Sequence, residues 1–322
     1  MLPEPDHQQI VTLRPHRNAV DITRTYSFIL ESEHSAAGTI DNVATIFLTN
    51  RECPFQCLMC DLWRNTTTES IPVGAIPAQI DDALARLGSE AVQSTRHLKL
   101  YNSGNFFDFK AIARADWPAL VERARNFESV IVENHPKLCG PACLEFRDLL
   151  SEHDVKLEIA IGLETIHPEV LPRLNKQMTL DDFAQAVRFL TDAGIAVRSF
   201  ILLRPPFLTE SEGVEWALKS IDFAFEQGVG CCAVIPTRAG NGIMDQLAEQ
   251  GLFETPTLAS LESVLEQGLT RSHGRVFVDL WDAQQFATCD ACADRRIARL
   301  NRMNLSQHSE PPIECEKCHD ST

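Results

Sequence analysis

The chain has 322 residues, 44% hydrophobic and 23% charged, with a formal net charge of −16. This suits one large α/β domain plus a small appendage, or two ordinary domains, and excludes a mainly disordered chain. The acidity disfavours a nucleic-acid partner, and no apolar run is long enough to span a membrane. Residues Met1 to Asn18 lack the apolar core of a secretory signal, so a cytoplasmic location is expected. Thiols stay reduced there, and clustered cysteines bind metal more often than they form disulfides. Seven of the eleven cysteines fall in two tight groups, one near residue 55 and one near the C-terminus.

In chain order, residues 1–42 are polar, carry Pro3, Pro5 and Pro15, and read as an irregular N-terminal extension packed on the core. Val43 to Thr49 is a short β-branched apolar run, the mark of a buried strand. Helical patterns at Ala75 to Leu87, Trp117 to Phe127, Pro141 to Glu152, Leu180 to Ala193 and Glu212 to Gln227 then alternate with strand patterns. Those strands fall at His97 to Asn102, Ser129 to Glu133, Lys156 to Ile161, Ala196 to Leu203 and Cys231 to Pro236, and a weaker helix covers Ile243 to Gln250. Thr179 is a predicted N-cap and Gly194 a predicted C-cap. Six strand–helix steps imply a parallel sheet flanked by helices, with its chemistry at the carboxyl ends of the strands. After Thr255 the pattern weakens to a helix near Leu258 to Gln267 and a strand near Arg275 to Trp281.

The first predicted strand ends at Asn50-Arg-Glu-Cys53-Pro-Phe-Gln-Cys57-Leu-Met-Cys60-Asp-Leu-Trp63. Three thiolates spaced C-x3-C-x2-C can hold three irons of a four-iron cube and leave the fourth open to a substrate. A zinc site and three unrelated buried thiols are the alternatives from spacing alone. A C-x3-C-x2-C loop after a first buried strand resembles the signature of the radical S-adenosylmethionine (SAM) superfamily. The resemblance implies a partial (β/α)6 TIM-like barrel and a [4Fe–4S] cluster on Cys53, Cys57 and Cys60. It also implies SAM on the open iron and a 5′-deoxyadenosyl radical that removes hydrogen from substrate. The residue before the third cysteine, Met59, stands where the family often has an aromatic residue beside the adenine.

Three more predicted strand ends carry candidates for SAM contact. Asn102-Ser103-Gly104 resembles, in position and smallness, the family turn that receives the SAM amino group; an ordinary Asn/Gly turn is the alternative. Glu164, in Gly162-Leu-Glu-Thr165, resembles a ribose- or amino-contacting residue, and a salt bridge with Lys176 or Arg198 is its alternative. Arg204, before Pro205 and Pro206, suits the SAM carboxylate or a substrate anion as a bidentate partner. Together with Leu174-Asn-Lys-Gln-Met-Thr179 and Pro205-Pro-Phe-Leu-Thr-Glu210, these loops resemble the branch holding the radical SAM subunit of archaeosine synthase, near the Elongator catalytic subunit.

Cys289, Cys292, Cys315 and Cys318 form two C-x2-C knuckles, suited to structural zinc or to a fully ligated auxiliary Fe–S cluster. Cys139, Cys143, Cys231 and Cys232 read as plain thiols, with a small case for Cys232 facing the barrel interior, and Tyr101 reads as pocket-lining or as core. The sequence thus divides into an extension (1–42), a radical SAM core (43–285) and a Cys-rich segment (286–322). The expected enzyme acts on a small molecule or peptide and draws electrons from a donor such as flavodoxin or ferredoxin. The rivals are tRNA modification and a zinc-stabilised binding protein without chemistry. Arg295, Arg296, Arg299 and Arg302, on a predicted helix, are the nearest approach to a basic patch.

Overall fold

Short β-branched apolar runs become strands along most of the chain, and in the computed structural model they join one sheet. The structure describes residues 7–271 and 273–318; Pro3 and Pro5 lie outside the described residues. The strands are β1 (Ser27–His34), β2 (Ile40–Phe47), β3 (Thr95–Tyr101), β4 (Ser129–Asn134), β5 (Lys156–Glu164), β6 (Ala196–Leu203), β7 (Cys231–Pro236) and β8 (Arg275–Val278). Their order in space is their order in sequence. β1 pairs antiparallel with β2, and every later pairing is parallel. β2 to β7 are thus the six strands of the expected partial barrel, and β8 extends it.

The helices are α1 (His7–Thr12), α2 (Ala75–Leu87), α3 (Ser89–Gln93), α4 (Trp117–Ala124), α5 (Pro141–Ser151), α6 (Val170–Arg173), α7 (Leu180–Asp192), α8 (Glu210–Glu226), α9 (Ile243–Glu249), α10 (Leu258–Leu269) and α11 (Asp290–Ser306). The larger ones pack an apolar face on the sheet, and the main core lies between the two layers. Local chemistry fixes their ends. Thr179 and Thr209 cap α7 and α8 through reciprocal capping boxes with Asp182 and Glu212. Gly194, at φ +73°, ends α7 in the left-handed conformation that favours glycine.

The extension is not irregular throughout, as the sequence reading had it: residues 27–34 form β1. Its inward positions include Glu31 and Glu33, so it lacks the apolar alternation of a core strand. These carboxylates meet Lys99 of β3 at 3.0 and 2.6 Å, and Arg198 of β6 reaches Glu33 at 2.5 Å and Glu158 of β5 at 2.8 Å. Arg275 of β8 completes the group, 3.8 Å from Glu33. Burial alone would push Glu33 up, but Arg198 and Lys99 overcome it and hold the carboxyl well below the usual range. Cys231 faces these charges, whereas Cys232 is packed in the apolar layer between sheet and helices. The interior-facing thiol is therefore Cys231, a correction to the sequence reading. Tyr101 packs edge-on against Phe47 and Phe200, on the same face of the sheet as Lys99 and Arg198.

α11 bridges the two ends of the sheet. The Asn304 side chain exchanges two hydrogen bonds with the backbone of Val278, at 3.0 and 2.9 Å, and Gln307 does the same with Val276, at 2.9 Å each. Two carboxamides thereby stand in for a next strand along β8. From the same helix the Leu305 carbonyl meets His34 Nδ1 of β1 at 2.9 Å. No helix among the described residues is long and apolar enough to cross a membrane.

Candidate active site at the carboxyl ends of the strands

The loop after β2 carries Cys53, Cys57 and Cys60, all three unpaired. Its backbone is braced from three directions. The Leu58 amide donates to Leu174 O at 2.8 Å, and Asn175 Nδ2 to Gln56 O at 2.7 Å. Asn241 Nδ2 donates to both Leu58 O (2.8 Å) and Cys60 O (3.2 Å), and Trp63 Nε1 adds a bond to Cys60 O at 3.1 Å. The extension holds the far side, where Arg14 lies over the Trp63 ring and pairs with Glu52 at 2.5 Å. A Cβ on Gly242, at φ +95°, would overlap the Leu13 carbonyl, so that position must be glycine for the extension to pass.

Asn105 aims its amide at the first sulfur, with Nδ2 to Cys53 Sγ at 3.1 Å, while its Oδ1 accepts from the His135 amide at 2.7 Å. Gly104 packs so closely that a Cβ there would lie 3.3 Å from Cys53 Cβ. The neighbouring Phe55 ring stacks on His135 at 3.7 Å. The His135 Nε2–H donates to Lys176 O at 2.9 Å, and burial lowers the imidazole to about 4, so the ring is neutral at physiological pH.

Burial pushes all three thiols up to about 12. As free groups they are protonated, and only a bound cation would hold them as thiolates. The donor set suits an iron–sulfur cluster: three sulfurs on one braced loop and an amide hydrogen bond to one of them, an interaction that tunes such clusters.

The predicted SAM contacts gather at the neighbouring strand ends, and their backbones share a signature. Ser103, Glu164 and Arg204 are non-glycine residues with φ of 54°, 65° and 53°. Such left-handed backbone costs energy and clusters at functional sites. Gly104 N donates to Glu133 Oε1 at 3.1 Å, and the Asn102 and Ser103 amides point to the same carboxylate. Burial still raises Glu133 to about 7. The Asn102 amide is fully buried, with neither Oδ1 nor Nδ2 paired, an opening for a polar ligand. Ser103 Oγ meets Tyr26 OH at 3.1 Å.

Glu164 forms the ion pair named above as its alternative, with Lys176 Nζ at 2.6 Å, and both are buried. A Cβ on Gly162 would overlap both charged ends, so glycine makes room for the pair. Burial would lower Lys176, but Glu164 and then Cys57 more than offset it and raise the ammonium above its ordinary value. The cation therefore lies beside the cysteine sulfurs. Arg204 is committed elsewhere: Nη1 meets Glu210 and Thr255 O at 2.8 Å each, and Nη2 meets Glu254 at 2.5 Å. Met59 is partly buried against a second apolar cluster that includes Leu58, Leu174, Leu208 and Met244.

Sequence reasoning missed Asn105, Glu133, His135 and Asn241, and took Lys176 only as a partner for Glu164. Lys176, and Asn175 beside it, lie in the Leu174-Asn-Lys-Gln-Met-Thr179 loop that carries the resemblance, a usable signal. The others act through contacts between distant segments and leave no local pattern.

The family model for the radical SAM superfamily matches residues 47–217, more than half of the chain. The chain belongs to the radical SAM superfamily. It is an enzyme family, so the rival reading of a binding protein without chemistry falls away. Among its relatives, archaeosine synthase subunit beta of Thermococcus kodakarensis is 29% identical over 51% of this chain and 51% of its own length. The same subunit of Methanosarcina acetivorans is 25% identical over 66% of this chain and 61% of its own. The chain thus spans about half to two-thirds of the relatives it matches. A solved structure of Elp3 from Methanocaldococcus infernus shares the fold with a TM-score of 0.52 and 14% identity, over 81% of this chain and 63% of that one.

At the other cysteine group, the four sulfurs of Cys289, Cys292, Cys315 and Cys318 converge within 4.8 Å of one another. The arginines of α11 do not form a free basic patch. Arg296 pairs with Glu262, Arg299 with Glu262 and Glu266, and Arg302 with Glu310, while Arg295 donates to the Glu314 carbonyl.

Proposed function

We propose that this chain is a radical SAM enzyme in which Cys53, Cys57 and Cys60 hold a [4Fe–4S] cluster and Asn102, Ser103, Gly104, Glu133 and the Glu164–Lys176 pair cradle SAM. When bound, cluster and cofactor together supply reductive cleavage of SAM and a 5′-deoxyadenosyl radical able to take hydrogen from a substrate. The carrying observation is the braced three-cysteine loop with Asn105 bonded to Cys53 Sγ, set among left-handed residues at neighbouring strand ends. The chain's own part is positional. Asn175 and Asn241 hold the loop backbone, Asn105 solvates one sulfur, and Lys176 offsets negative charge on the thiolates. Arg204 has the weakest case as a SAM contact because its guanidinium is already paired.

The substrate reading is a small molecule or peptide, with flavodoxin or ferredoxin as electron donor in a reducing cytoplasm. The net charge of −16 supports it, as does the pairing of the α11 arginines with acidic groups. A second reading, a base in tRNA, is favoured by the two archaeosine synthase relatives.

Anaerobic reconstitution should give about four irons on the first cysteine group and, with SAM and dithionite, 5′-deoxyadenosine. Cys57→Ala should lose both; a variant that still cleaves SAM at the full rate overturns the assignment. Binding of bulk tRNA that falls steeply with salt would select the second reading, and no binding at low salt would remove it.

A further inference from the structure

The C-terminal quartet stands apart from the radical site, and the proposed function does not use it. Cys289 immediately precedes α11 and Cys292 lies in its first turn; Cys315 and Cys318 flank a bend at the end of the described chain. The sulfurs approach across the two knuckles: Cys289 to Cys315 at 4.0 Å and Cys292 to Cys318 at 3.6 Å, with every pair within 4.8 Å. All four are free thiols, and disulfide sulfurs would stand only about 2.05 Å apart.

These spacings choose between the two metal centres the sequence left open. Four sulfurs around one zinc ion, at bonds of about 2.3 Å, stand about 3.8 Å apart along the edges of a tetrahedron. Four sulfurs on a cube each bind a different iron at a different corner, which holds them much farther apart. The observed distances are those of one ion. We propose that Cys289, Cys292, Cys315 and Cys318 bind a single tetrahedral zinc ion, a structural staple and not an auxiliary iron–sulfur cluster.

The surroundings fit that role. The start of α11 presents free amides and the positive end of the helix dipole to the thiolates. Arg296, one turn beyond Cys292, lies beside that sulfur and offsets the excess negative charge of four thiolates on a divalent ion. The tail already folds back along the helix, with Arg302 paired to Glu310 at 2.7 Å and Arg295 donating to the Glu314 carbonyl at 3.3 Å. The ion would fasten that tail to the helix that bridges β8 and β1, and so would anchor the closure of the barrel.

The test is metal analysis of the full chain with the radical cysteines removed, which separates it from the function proposed above. Cys53→Ala/Cys57→Ala/Cys60→Ala, purified anaerobically and offered iron, sulfide and zinc, should hold about one zinc per chain and no iron. Cobalt in its place should give the intense visible bands of a tetrahedral thiolate complex. Cys315→Ala/Cys318→Ala, chosen because it spares the buried Cys292, should lose the zinc and keep the iron of the other site. Iron with or without sulfide in the first variant, no metal in it, or zinc retained in the second, overturns the proposal.

Discussion

Lys176 and Glu164 form a charge pair of the site, 2.6 Å apart and both buried. Removing one partner leaves the other charge without compensation, whereas replacing both with apolar groups is often close to neutral. Lys176→Met alone should therefore cost about 3–5 kcal/mol in urea unfolding. The double variant Lys176→Met/Glu164→Leu should recover most of that stability and still fail to form 5′-deoxyadenosine. A double variant that is stable and fully active would reduce the pair to a structural role. Glu133 gives a pH signature in the cluster-free chain. Burial raises its folded pKa to about 7 from an ordinary 4.5, so the folded state binds the proton more tightly. Its contribution to stability is then fully present below pH 4.5 and is lost as pH rises through 7. Glu133→Gln should flatten the fall in thermal midpoint across that window, and an unchanged profile would rule out the shift.

At the scale of elements, α11 has a task that its own sequence hides. Asn304 and Gln307 each satisfy one amide and one carbonyl of β8. Without them that edge is open to water and to other chains. Asn304→Ala should cost about 1–3 kcal/mol by leaving two backbone groups unpaired, and Asn304→Ala/Gln307→Ala should in addition aggregate on warming. Light scattering during a thermal ramp reads the second effect, and a monomeric, unaltered double variant would count against edge sealing. Most elements were legible in the sequence because each βα unit has its own apolar periodicity and caps, as at Thr179 and Gly194. β1 was not, because its inward residues are charged and make sense only opposite Lys99 and Arg198 on distant strands.

Across the whole molecule, the floor of the barrel sets Glu31, Glu33 and Glu158 against Lys99, Arg198 and Arg275, a balanced group that joins β1 to β3, β5, β6 and β8. Arg198 lies at its centre. Arg198→Met should destabilise the fold by about 3–5 kcal/mol at neutral pH, because Glu33 and Glu158 would be left buried with too little positive charge. The sign follows from Glu33, whose folded pKa is depressed from an ordinary 4.5. The stability it contributes is present above pH 4.5 and lost as pH falls through the folded value. The gap between wild type and Arg198→Met should therefore narrow in acid; denaturant titrations at pH 7 and pH 4 would show it, and a gap that stays constant would mean the network does not act through charge.

The sequence by itself determined the family, the three-cysteine loop and the rhythm of the barrel, since each rests on spacing within a short segment. It also placed Asn102 to Gly104 and Glu164 at strand ends, where position along a βα unit fixes position in space. The tertiary structure decided what depends on segments far apart in the chain. It paired Glu164 with Lys176, turned Arg204 to Glu210 and Glu254, and brought Asn105 and Asn241 to the cysteine loop. It also brought the four sulfurs of the two C-terminal knuckles within 4.8 Å of one another. A motif records which donors lie on one stretch of chain, but distances between sulfurs and the partners of buried charges exist only once the sheet has curled and α11 has crossed its ends.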